Sequence, residues 1–339
     1  MKYSILSGGS GNEAIVNGLM LHGNCSSYDI RIITNAYDNG KSTGICRSVT
    51  NTLGVSDIRK NHYRIYRNTY RKDDDVFYKF YVSRYSISSV KDIYNILDLC
   101  GLSFLGDYAE RFMLRPSTQK LNLDDFNISN IIYSEMYSDL GYSYTNRIFC
   151  DILGIDDCVV LNSYDNVYLN AITSKLRLID DEGSIVEYCC SEDPIKDICF
   201  SGKDNYNFTL NDRAIKEINS SDVLILSTGT FWSSIYPTIV YGDFYKYINS
   251  FKGKKIWFIN SKEDKDSYGV TSNDFISILS SVLNLSDFII VENLSAVDSL
   301  KEKSNRSNLD IRYFDLGNSD GVNDDERCFL AINNIVNEV

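Results

Sequence analysis

The first apolar positions of the chain form two short runs that flank a stretch of helical spacing. Tyr3–Leu6 and Ile30–Thr34 are almost continuously apolar, as the strands of a covered parallel sheet are. Between them, in residues 12–22, apolar side chains recur every three or four positions and place Ile15 and Leu19 on one face. The pattern predicts a strand, a helix and a second strand, which is the opening of a βαβ unit.

The C-terminal part of the chain repeats this alternation. Short apolar runs predict strands at Val223–Leu226, 255–259, 288–291 and 311–314. Amphipathic stretches predict helices at 214–219, from about 235, at 272–283 and at 326–336. Short strands that alternate with helices are typical of a parallel sheet with helices on both faces. We therefore predict an α/β protein with a Rossmann-like, doubly wound, mainly parallel sheet.

The segment between these two blocks has a different pattern. Residues 61–115 are rich in Tyr and Arg, and helical spacing is evident at 90–100 and at 130–153. We interpret this segment as a helical subdomain inserted into the sheet. The predicted domains are a Rossmann-like core of residues 1–60 and 155–339 and a mostly helical insertion of residues 61–154.

A β-hairpin is predicted at residues 166–188, after the insertion. Two short apolar runs flank a polar turn there, and the acidic turn at 180–183 closes onto a further strand at 184–188.

Composition limits the kinds of partner. The chain has 339 residues, of which 43% are hydrophobic and 24% charged, as in an ordinary soluble globular protein. Its 34 basic and 46 acidic residues give a net charge of −12, which argues against a nucleic acid or a membrane surface as the main partner. A small anionic ligand is still compatible with this charge, because backbone amides can bind phosphate in a negatively charged protein.

Cysteine and histidine usage bears on location and on metal chemistry. Nine cysteines occur without a C-x-x-C pair, and the only histidines are His22 and His62. This usage favours reduced, buried thiols and excludes a metal site built from several histidines. No leader pattern is evident at the start, so we expect a cytoplasmic protein. The Tyr-rich insertion either forms the interface of a homodimer, since Tyr is favoured at interfaces, or packs within its own subdomain.

Two polar loops follow the first two predicted strands. The first reads S-G-G-S-G and offers phosphate the residues Gly8, Gly9, Ser10 and Gly11. The second combines a carboxylate, an amide, a cation and a hydroxyl on Asp38, Asn39, Gly40, Lys41 and Ser42. Ligands of open α/β sheets bind at this edge, where exposed amides and helix starts suit phosphate. Each loop also has a structural interpretation, a tight turn for the first and a helix-capping Asx turn for the second.

Two later loops add further candidates. Asp57 and Arg59 occur together in D-I-R-K-N and are either functional or a surface ion pair. The loop after Val223–Leu226 repeats the opening pattern of small residues before a helix and offers Gly229, Thr230, Ser233 and Ser234. Its aromatic residues, Phe231 and Trp232, either stack on a ligand ring or belong to the core.

Together these loops resemble the CofD-like family, which contains 2-phospho-L-lactate transferase and the bacterial gluconeogenesis factor. Residues 7–11 are similar to the family's G-G-G-T-G loop, residues 38–44 to its D-D-G-G-S-S-G loop, and residues 57–61 to its G-D-I-R-N element. Later similarities to a D-G hairpin turn, to G-P-G-S-L-Y-T-S-I-x-P and to D-G-Y-T-A-x-D lie at 180–185, 227–237 and 266–274. The order of these elements agrees with that of the family over nearly the whole chain.

The resemblance implies a nucleotide or nucleotide-sugar ligand held by the glycine loops. For an enzyme it implies transfer of a phosphorus-containing group from a nucleotide-activated donor to a hydroxyl. Asp38, Asp57 and Arg59 would then be catalytic, with Asp38 orienting the hydroxyl or holding Mg²⁺. The alternative is a regulator of carbon metabolism or cell-wall synthesis that binds a UDP-sugar without turnover. A third interpretation is a scaffold whose pocket has lost its ligand.

The second loop departs from the family pattern at two positions. Asn39 stands where the family has a second acidic residue, and Lys41 stands where it has a second glycine. An amide in place of a carboxylate removes a negative charge from the position where a cation would bind. Mg²⁺ and direct neutralisation of phosphate by Lys41 are therefore two alternatives.

Overall fold

Two β-sheets organise the part of the chain that the computed structural model describes, residues 1–72, 76–202, 208–260, 264–294, 308–317 and 323–338. Their strands are, in chain order, β1 (Tyr3–Leu6), β2 (Ile30–Thr34), β3 (Val159–Leu161), β4 (Tyr168–Thr173), β5 (Leu178–Ile179), β6 (Ile195–Ser201), β7 (Val223–Leu226), β8 (Lys254–Phe258), β9 (Phe288–Asn293) and β10 (Asp310–Phe314). Seven form a parallel sheet in the order β10-β9-β8-β7-β1-β2-β3, and β5-β4-β6 form a small antiparallel sheet. The predicted α/β class with a mainly parallel sheet is confirmed.

β1 lies at the centre of the large sheet, between β2 and β7. Tyr3 is opposite Ile30 of β2 and Val223 of β7. Every residue of β1 and β7 is buried, because both faces of the sheet are covered. Since the three strands are parallel, the loops that follow them meet at one edge of the sheet.

Helices cover both faces of the large sheet. The α-helices are α1 (Glu13–Asn17), α2 (Lys41–Thr50), α3 (Ser56–Tyr70), α4 (Val76–Tyr81), α5 (Val90–Leu99), α6 (Gly106–Leu114), α7 (Ile128–Leu140), α8 (Tyr142–Leu153), α9 (Glu182–Glu187), α10 (Asp212–Asn219), α11 (Tyr236–Val240), α12 (Tyr245–Ser250), α13 (Ser272–Ser280) and α14 (Asp325–Asn337). π-Helical turns occur at Gly18–His22 and Phe231–Ile235, and 3-10 turns at Ser103–Leu105, Thr118–Lys120, Tyr241–Asp243, Lys265–Ser267 and Leu285–Asp287. Among the described residues, no helix is both long and apolar enough to cross a bilayer.

Helices α4 to α8, called the inserted helices below, share their hydrophobic core with one face of the large sheet. Ile93 of α5, Ile131 of α7 and Phe149 of α8 belong to the same buried cluster as Ile5 of β1. A second cluster covers the opposite face and includes residues of the small sheet. Residues 76–153 are mainly helical, in agreement with the pattern, but α3 begins at Ser56 and so crosses the predicted domain boundary.

Several elements differ from the hydrophobic pattern. The strand predicted at 184–188 is wrong, because these residues lie in and just after α9. The Asp181 carboxylate accepts a hydrogen bond from the Ser184 amide at 2.8 Å and caps this helix. The helix predicted at 130–153 is divided into α7 and α8 by Gly141, whose φ is +76°. β3 and β6 lie where the pattern predicts no strand.

Candidate functional site

A cavity of about 790 Å³ lies where the loops after β1, β2 and β7 meet. The structure brings most of the predicted site residues to its wall. These residues are Gly8, Gly9, Ser10, Gly11, Asp38, Asn39, Gly40, Lys41, Asp57, Gly229, Thr230, Ser233 and Ser234. Side chains outside the predicted set also line it, among them Lys60, Arg84, Tyr168 and Glu182. A volume of this size is in the range of pockets that bind small molecules and cofactors.

The loop after β1 directs backbone amides into the cavity. The Gly8 carbonyl accepts hydrogen bonds from Ser7 Oγ at 2.7 Å and Asn61 Nδ2 at 3.4 Å, and the Gly9 carbonyl accepts one from Arg64 Nη2 at 3.0 Å. In a trans peptide the carbonyl and the next N–H point in opposite directions. The N–H groups of Gly9 and Ser10 therefore point away from these buried donors, toward the cavity.

These amides have no partner within the described part of the chain. None of the N–H groups of residues 8–11 donates a hydrogen bond there. The close packing of the loop explains the glycines, because a Cβ on Gly9 would lie 2.3 Å from Asp57 Oδ1 and one on Gly11 would lie 2.0 Å from the Thr228 carbonyl oxygen. A loop of unpartnered amides next to a helix start is a suitable binding site for phosphate.

The loop after β2 contributes the start of α2. Gly40 is the N-cap residue of α2, and it supplies no side-chain cap. Its own N–H donates to Asp38 Oδ1 at 2.9 Å, whereas the N–H groups of Lys41 and Ser42 donate no hydrogen bond within the described ranges. The first turn of α2 therefore adds the Lys41 amide and a partial positive charge to the site.

Three carboxyl groups lie together at the cavity wall. The pKa of Glu182 is raised well above its ordinary value by burial, by the charges of Asp38 and Asp57, and by its hydrogen bond with Asp38. Burial and the Asp38 charge also raise the pKa of Asp57, although Lys60 Nζ lies 3.6 Å from Asp57 Oδ1 and opposes this rise. Glu182 thus keeps its proton to a higher pH than an exposed glutamate does.

Asp38 and Glu182 fit a magnesium ion better than Asn39 does. Carboxylate oxygens are preferred ligands of Mg²⁺, which is commonly held by one or two carboxylates together with substrate phosphates. The Asn39 Oδ1 atom instead accepts a hydrogen bond from the Glu182 amide at 2.8 Å and ties α9 to the loop. The described residues contain no cluster of three or more groups arranged to hold a metal by themselves, so two carboxyls and a ligand phosphate are the donor set that fits.

The loop after β7 differs from the prediction, because the protein already uses several of its amides. The N–H groups of Trp232 and Ser233 donate to Asp266 Oδ2 at 3.1 and 3.3 Å, and that of Gly229 donates to Asn260 Oδ1 at 2.9 Å. What this loop offers the cavity is therefore hydroxyl groups, on Thr230, Ser233 and Ser234. The aromatic residues of the loop, Phe231 and Trp232, are buried in the core beneath it.

Two predicted site residues do not reach the cavity. Arg59 is buried and donates hydrogen bonds to Asn130 Oδ1 and the Tyr81 carbonyl. Asp57 and Arg59 are two positions apart on α3, so their side chains point to different faces of the helix. The Ser42 hydroxyl accepts a hydrogen bond from Asn130 Nδ2 at 2.8 Å, which holds it toward α7. Arg59 and Ser42 thus connect the loops to the inserted helices.

The sequence prediction missed Lys60 and Glu182. Helical spacing could have indicated Lys60, and the acidic turn could have indicated Glu182. Lys60 lies three positions after Asp57 and therefore shares its face of α3. Glu182 belongs to the acidic turn at 180–183. The prediction assigned this turn to a hairpin and did not include it among the site residues. Tyr168 lies in the small sheet, with its ring 4.4 Å from the Arg47 guanidinium. No short-range pattern connects the small sheet with the loops after β1 and β2.

Comparison with known proteins shows relatives that match along the chain and share its fold. A curated protein of Thermotoga maritima named "Putative gluconeogenesis factor" is 21% identical over 328 residues, which cover 94% of this chain and 87% of that protein. Two crystal structures of a Bacillus halodurans protein, one described as a member of the UPF0052 family, superpose with TM-scores of 0.64 and 0.68 at 15% and 14% identity. They cover 99% and 100% of each chain, so the whole fold is shared.

The family assignment rests on a match along almost the entire sequence. The family model described as 2-phospho-L-lactate transferase CofD matches residues 4–325, a range that includes every loop of the cavity. The resemblance that the glycine loops carry is confirmed by this match. The chain belongs to the CofD family.

Proposed function

We propose that this protein binds a nucleotide with a diphosphate group at the carboxyl edge of its sheet and transfers a phosphorus-containing group from it to a hydroxyl acceptor. The observation that carries the proposal is the set of amides at residues 8–11, which have no hydrogen-bond partner among the described residues and line a cavity together with the uncapped start of α2. Backbone N–H groups that converge in this way are suited to phosphate oxygens. The negative charge of the whole chain does not oppose such local binding.

The proposed reaction makes one bond to phosphorus and breaks another. The acceptor hydroxyl oxygen attacks the phosphorus of the transferred group, the phosphoanhydride bond breaks, and a nucleoside monophosphate leaves with the bond's electron pair. The Asp38 carboxylate would take the proton of the hydroxyl, and the protonated Glu182 carboxyl would orient Asp38 through their hydrogen bond. The amides and Lys41 would stabilise the charge on the phosphate oxygens. When Mg²⁺ is bound, Asp38 and a Glu182 that has given up its proton would hold it in place of this hydrogen bond, and the ion would supply further positive charge at these oxygens.

A second candidate function is binding of a UDP-sugar without turnover, with a regulatory outcome. Its support is the Asn39 amide, which occupies a position next to Asp38 and is engaged in holding α9. One fewer carboxylate at the cavity wall weakens a metal site. It does not affect the backbone N–H groups of residues 8–11 and Lys41. The name of the Thermotoga maritima relative, which refers to gluconeogenesis, is compatible with such a role in carbon metabolism.

Calorimetric titration with UDP, GDP, ADP, CDP and UDP-sugars, with and without Mg²⁺, tests the proposal. A ligand at 100 times its dissociation constant should also stabilise the fold by roughly 2.7 kcal/mol, which a thermal-shift assay detects. The Gly9→Ala variant should lose this binding, because its Cβ must displace the Asp57 carboxylate. Gly40→Ala is the matched control for folding, since the atom nearest to its Cβ is 3.5 Å away.

The two candidate functions differ in the products they leave. Release of a nucleoside monophosphate in the presence of hydroxyl acceptors, lost in Asp38→Asn, would support the transferase. Stoichiometric binding with no such release for any donor and acceptor would favour the regulator. Absence of binding by every nucleotide would contradict both candidates.

A further inference from the structure

Lys41 has a backbone conformation that lysine rarely adopts. Its φ is +44°, in the left-handed region that favours glycine. Most of the other non-glycine residues with positive φ in the described ranges are Asn or Asp, whose short side chains tolerate this region. Lys41 has no such side chain, and it lies at the first position of α2 on the cavity wall. A residue under local strain at a cavity is a reason to look for a role of its side chain.

Lys41 forms no ion pair within the described ranges, in contrast to Lys60 and Arg84, two other cations that line the cavity. Lys60 Nζ lies 3.6 Å from Asp57 Oδ1, and Arg84 Nη1 lies 3.3 Å from Asp125 Oδ2. Within the described ranges, no carboxylate oxygen lies within 4.0 Å of Lys41 Nζ. Of these three cavity-lining cations, Lys41 alone makes no ion pair within 4.0 Å. Its charge acts on the Glu187 carboxylate only at longer range, and that carboxylate is already paired with Lys265.

Lys41 lines the same cavity as the amides of residues 8–11. Its own N–H is also unpartnered within the described part of the chain, so its backbone and its side chain belong to one site. An ammonium group next to converging N–H groups forms charge-assisted hydrogen bonds to phosphate oxygens. A divalent cation is otherwise the usual source of positive charge for a bound diphosphate.

We propose that the Lys41 ammonium group neutralises the phosphate oxygens of the bound ligand, so that this protein binds a nucleoside diphosphate without a divalent cation. The inference rests on the proposed function in taking the same ligand class and cavity. It adds that Lys41 supplies the positive charge that the ligand's phosphate oxygens need. Binding therefore requires no metal ion. Any role of Mg²⁺ is then confined to the reaction.

Calorimetric titration of the wild type, Lys41→Gly and Lys41→Arg tests the inference. The probes are UDP, GDP, ADP and CDP, with inorganic pyrophosphate as a probe that lacks a base, each in Mg²⁺ and in EDTA. The wild type should bind in EDTA with an affinity within about threefold of that in Mg²⁺, and Lys41→Gly should weaken binding by roughly tenfold or more. Lys41→Arg should retain most of the affinity, because it preserves the charge.

The matched control is Arg71→Gly, which removes a cation from an exposed left-handed position at the end of α3. Arg71 has a φ of +54° and does not line the cavity. Both glycine variants relieve backbone strain and should melt at the same temperature as the wild type or higher, whereas only Lys41→Gly should lose affinity. A folded Lys41→Gly protein with wild-type affinity, or wild-type binding that disappears in EDTA, would overturn this inference alone. A wild type that binds none of the probes would overturn the proposed function and the inference together.

Discussion

At the scale of single residues, Asp266 shows how the protein completes one of its own helix starts. Its buried carboxylate accepts hydrogen bonds from the amides of Trp232 and Ser233, where a ligand phosphate could otherwise bind. Burial, and then the neighbouring Asp264, raise the pKa of Asp266 to about 7, although the two backbone hydrogen bonds act in the opposite direction. The loop after β7 is therefore held by a group that changes its charge near neutral pH.

Asp266 should make stability depend on pH. Its pKa is higher in the folded than in the unfolded protein, so the folded state binds more protons between about pH 4 and pH 7 and loses stability as the pH rises through this window. Asp266→Asn keeps an oxygen acceptor for both amides but does not titrate. We expect the unfolding free energy of wild type to fall relative to that of Asp266→Asn by roughly 2 kcal/mol between pH 5 and pH 8. Urea unfolding at both pH values measures this difference, and parallel pH dependences would contradict the assignment.

Arg64 is the residue that holds the first glycine loop in place. Its guanidinium is buried and donates to the Gly9 carbonyl at 3.0 Å and to the side-chain oxygens of Asn12 and Asn61. Removal of this donor would leave three buried acceptors with fewer partners. Arg64 therefore acts on the ligand through the loop that it positions.

We expect Arg64→Met to lower the free energy of unfolding by roughly 2 to 4 kcal/mol, because buried polar groups without partners are costly. Arg67→Met is the matched control from the next turn of α3, where the arginine forms a more exposed ion pair with Glu13 at 3.2 Å. This variant should change the unfolding free energy by less than about 1 kcal/mol. Urea titrations followed by circular dichroism measure both values, and equal losses would show that Arg64 has no special role.

At the scale of elements, the contact between the loop after β1 and the loop after β7 determines where glycine is required. A Cβ on Gly11 would lie 2.0 Å from the carbonyl oxygen of Thr228, which is a backbone atom and cannot move aside by a side-chain rotation. We expect Gly11→Ala to lower the unfolding free energy by roughly 2 to 3 kcal/mol through overpacking. Gly40→Ala, whose Cβ would meet no atom closer than 3.5 Å and whose φ is −71°, should stay within about 0.5 kcal/mol of the wild type. Thermal unfolding distinguishes the two, and a stable Gly11→Ala variant would refute the close contact.

The elements that the sequence predicts best are those buried on both faces. β1, β2 and β7 have the predicted bounds because continuous apolar runs end at polar or small residues. Only Ile195 and Ile198 of β6 are buried and the strand includes charged residues, so its apolar pattern is weaker. The hydrophobic pattern does not predict α9, because the helix depends on the local cap in which Asp181 accepts hydrogen bonds from the amide and the hydroxyl of Ser184.

The candidate site was predictable where it depends on strand ends and not where it depends on distant packing. Glycine loops after parallel strands must meet at one sheet edge, so residues 8–11 and 38–41 could be placed together from the sequence. The orientation of Arg59 depends on the face of α3 on which it lies. The D-I-R-K-N motif alone does not show which face of the helix packs against the inserted helices. Glu182 comes from the segment after β5, and only the tertiary fold brings it next to Asp38.

At the scale of the whole molecule, the large sheet connects the two hydrophobic clusters. Ile5 of β1 belongs to the cluster that contains the inserted helices, and its neighbour Leu6 belongs to the cluster on the opposite face. If β1 left the sheet, both hydrophobic clusters would be exposed to solvent. The insertion at 61–154 is therefore expected to unfold together with the rest of the protein.

This coupling predicts coincident unfolding transitions. Trp232 and Trp257, the only tryptophans, both lie in the cluster opposite the inserted helices, so their fluorescence reports on that side. Far-UV circular dichroism reports on the helices of both sides. We expect the two urea midpoints to agree within about 0.2 M. A separate transition in circular dichroism without a change in fluorescence would show that the inserted helices unfold independently.

The central position of β1 also has a consequence for synthesis on the ribosome. Tyr3 is among the first residues made, yet its partner Val223 on β7 follows 220 positions later. At 5 to 20 residues per second, translation of that interval takes roughly 10 to 40 s. During this time one edge of β1 has no strand to pair with, and nascent chains that end before β7 should be readily cleaved by protease near their N-terminus. The strand that precedes the glycine loop of residues 8–11 is thus fully paired only late in synthesis. A folding chain needs protection from aggregation until its second half emerges.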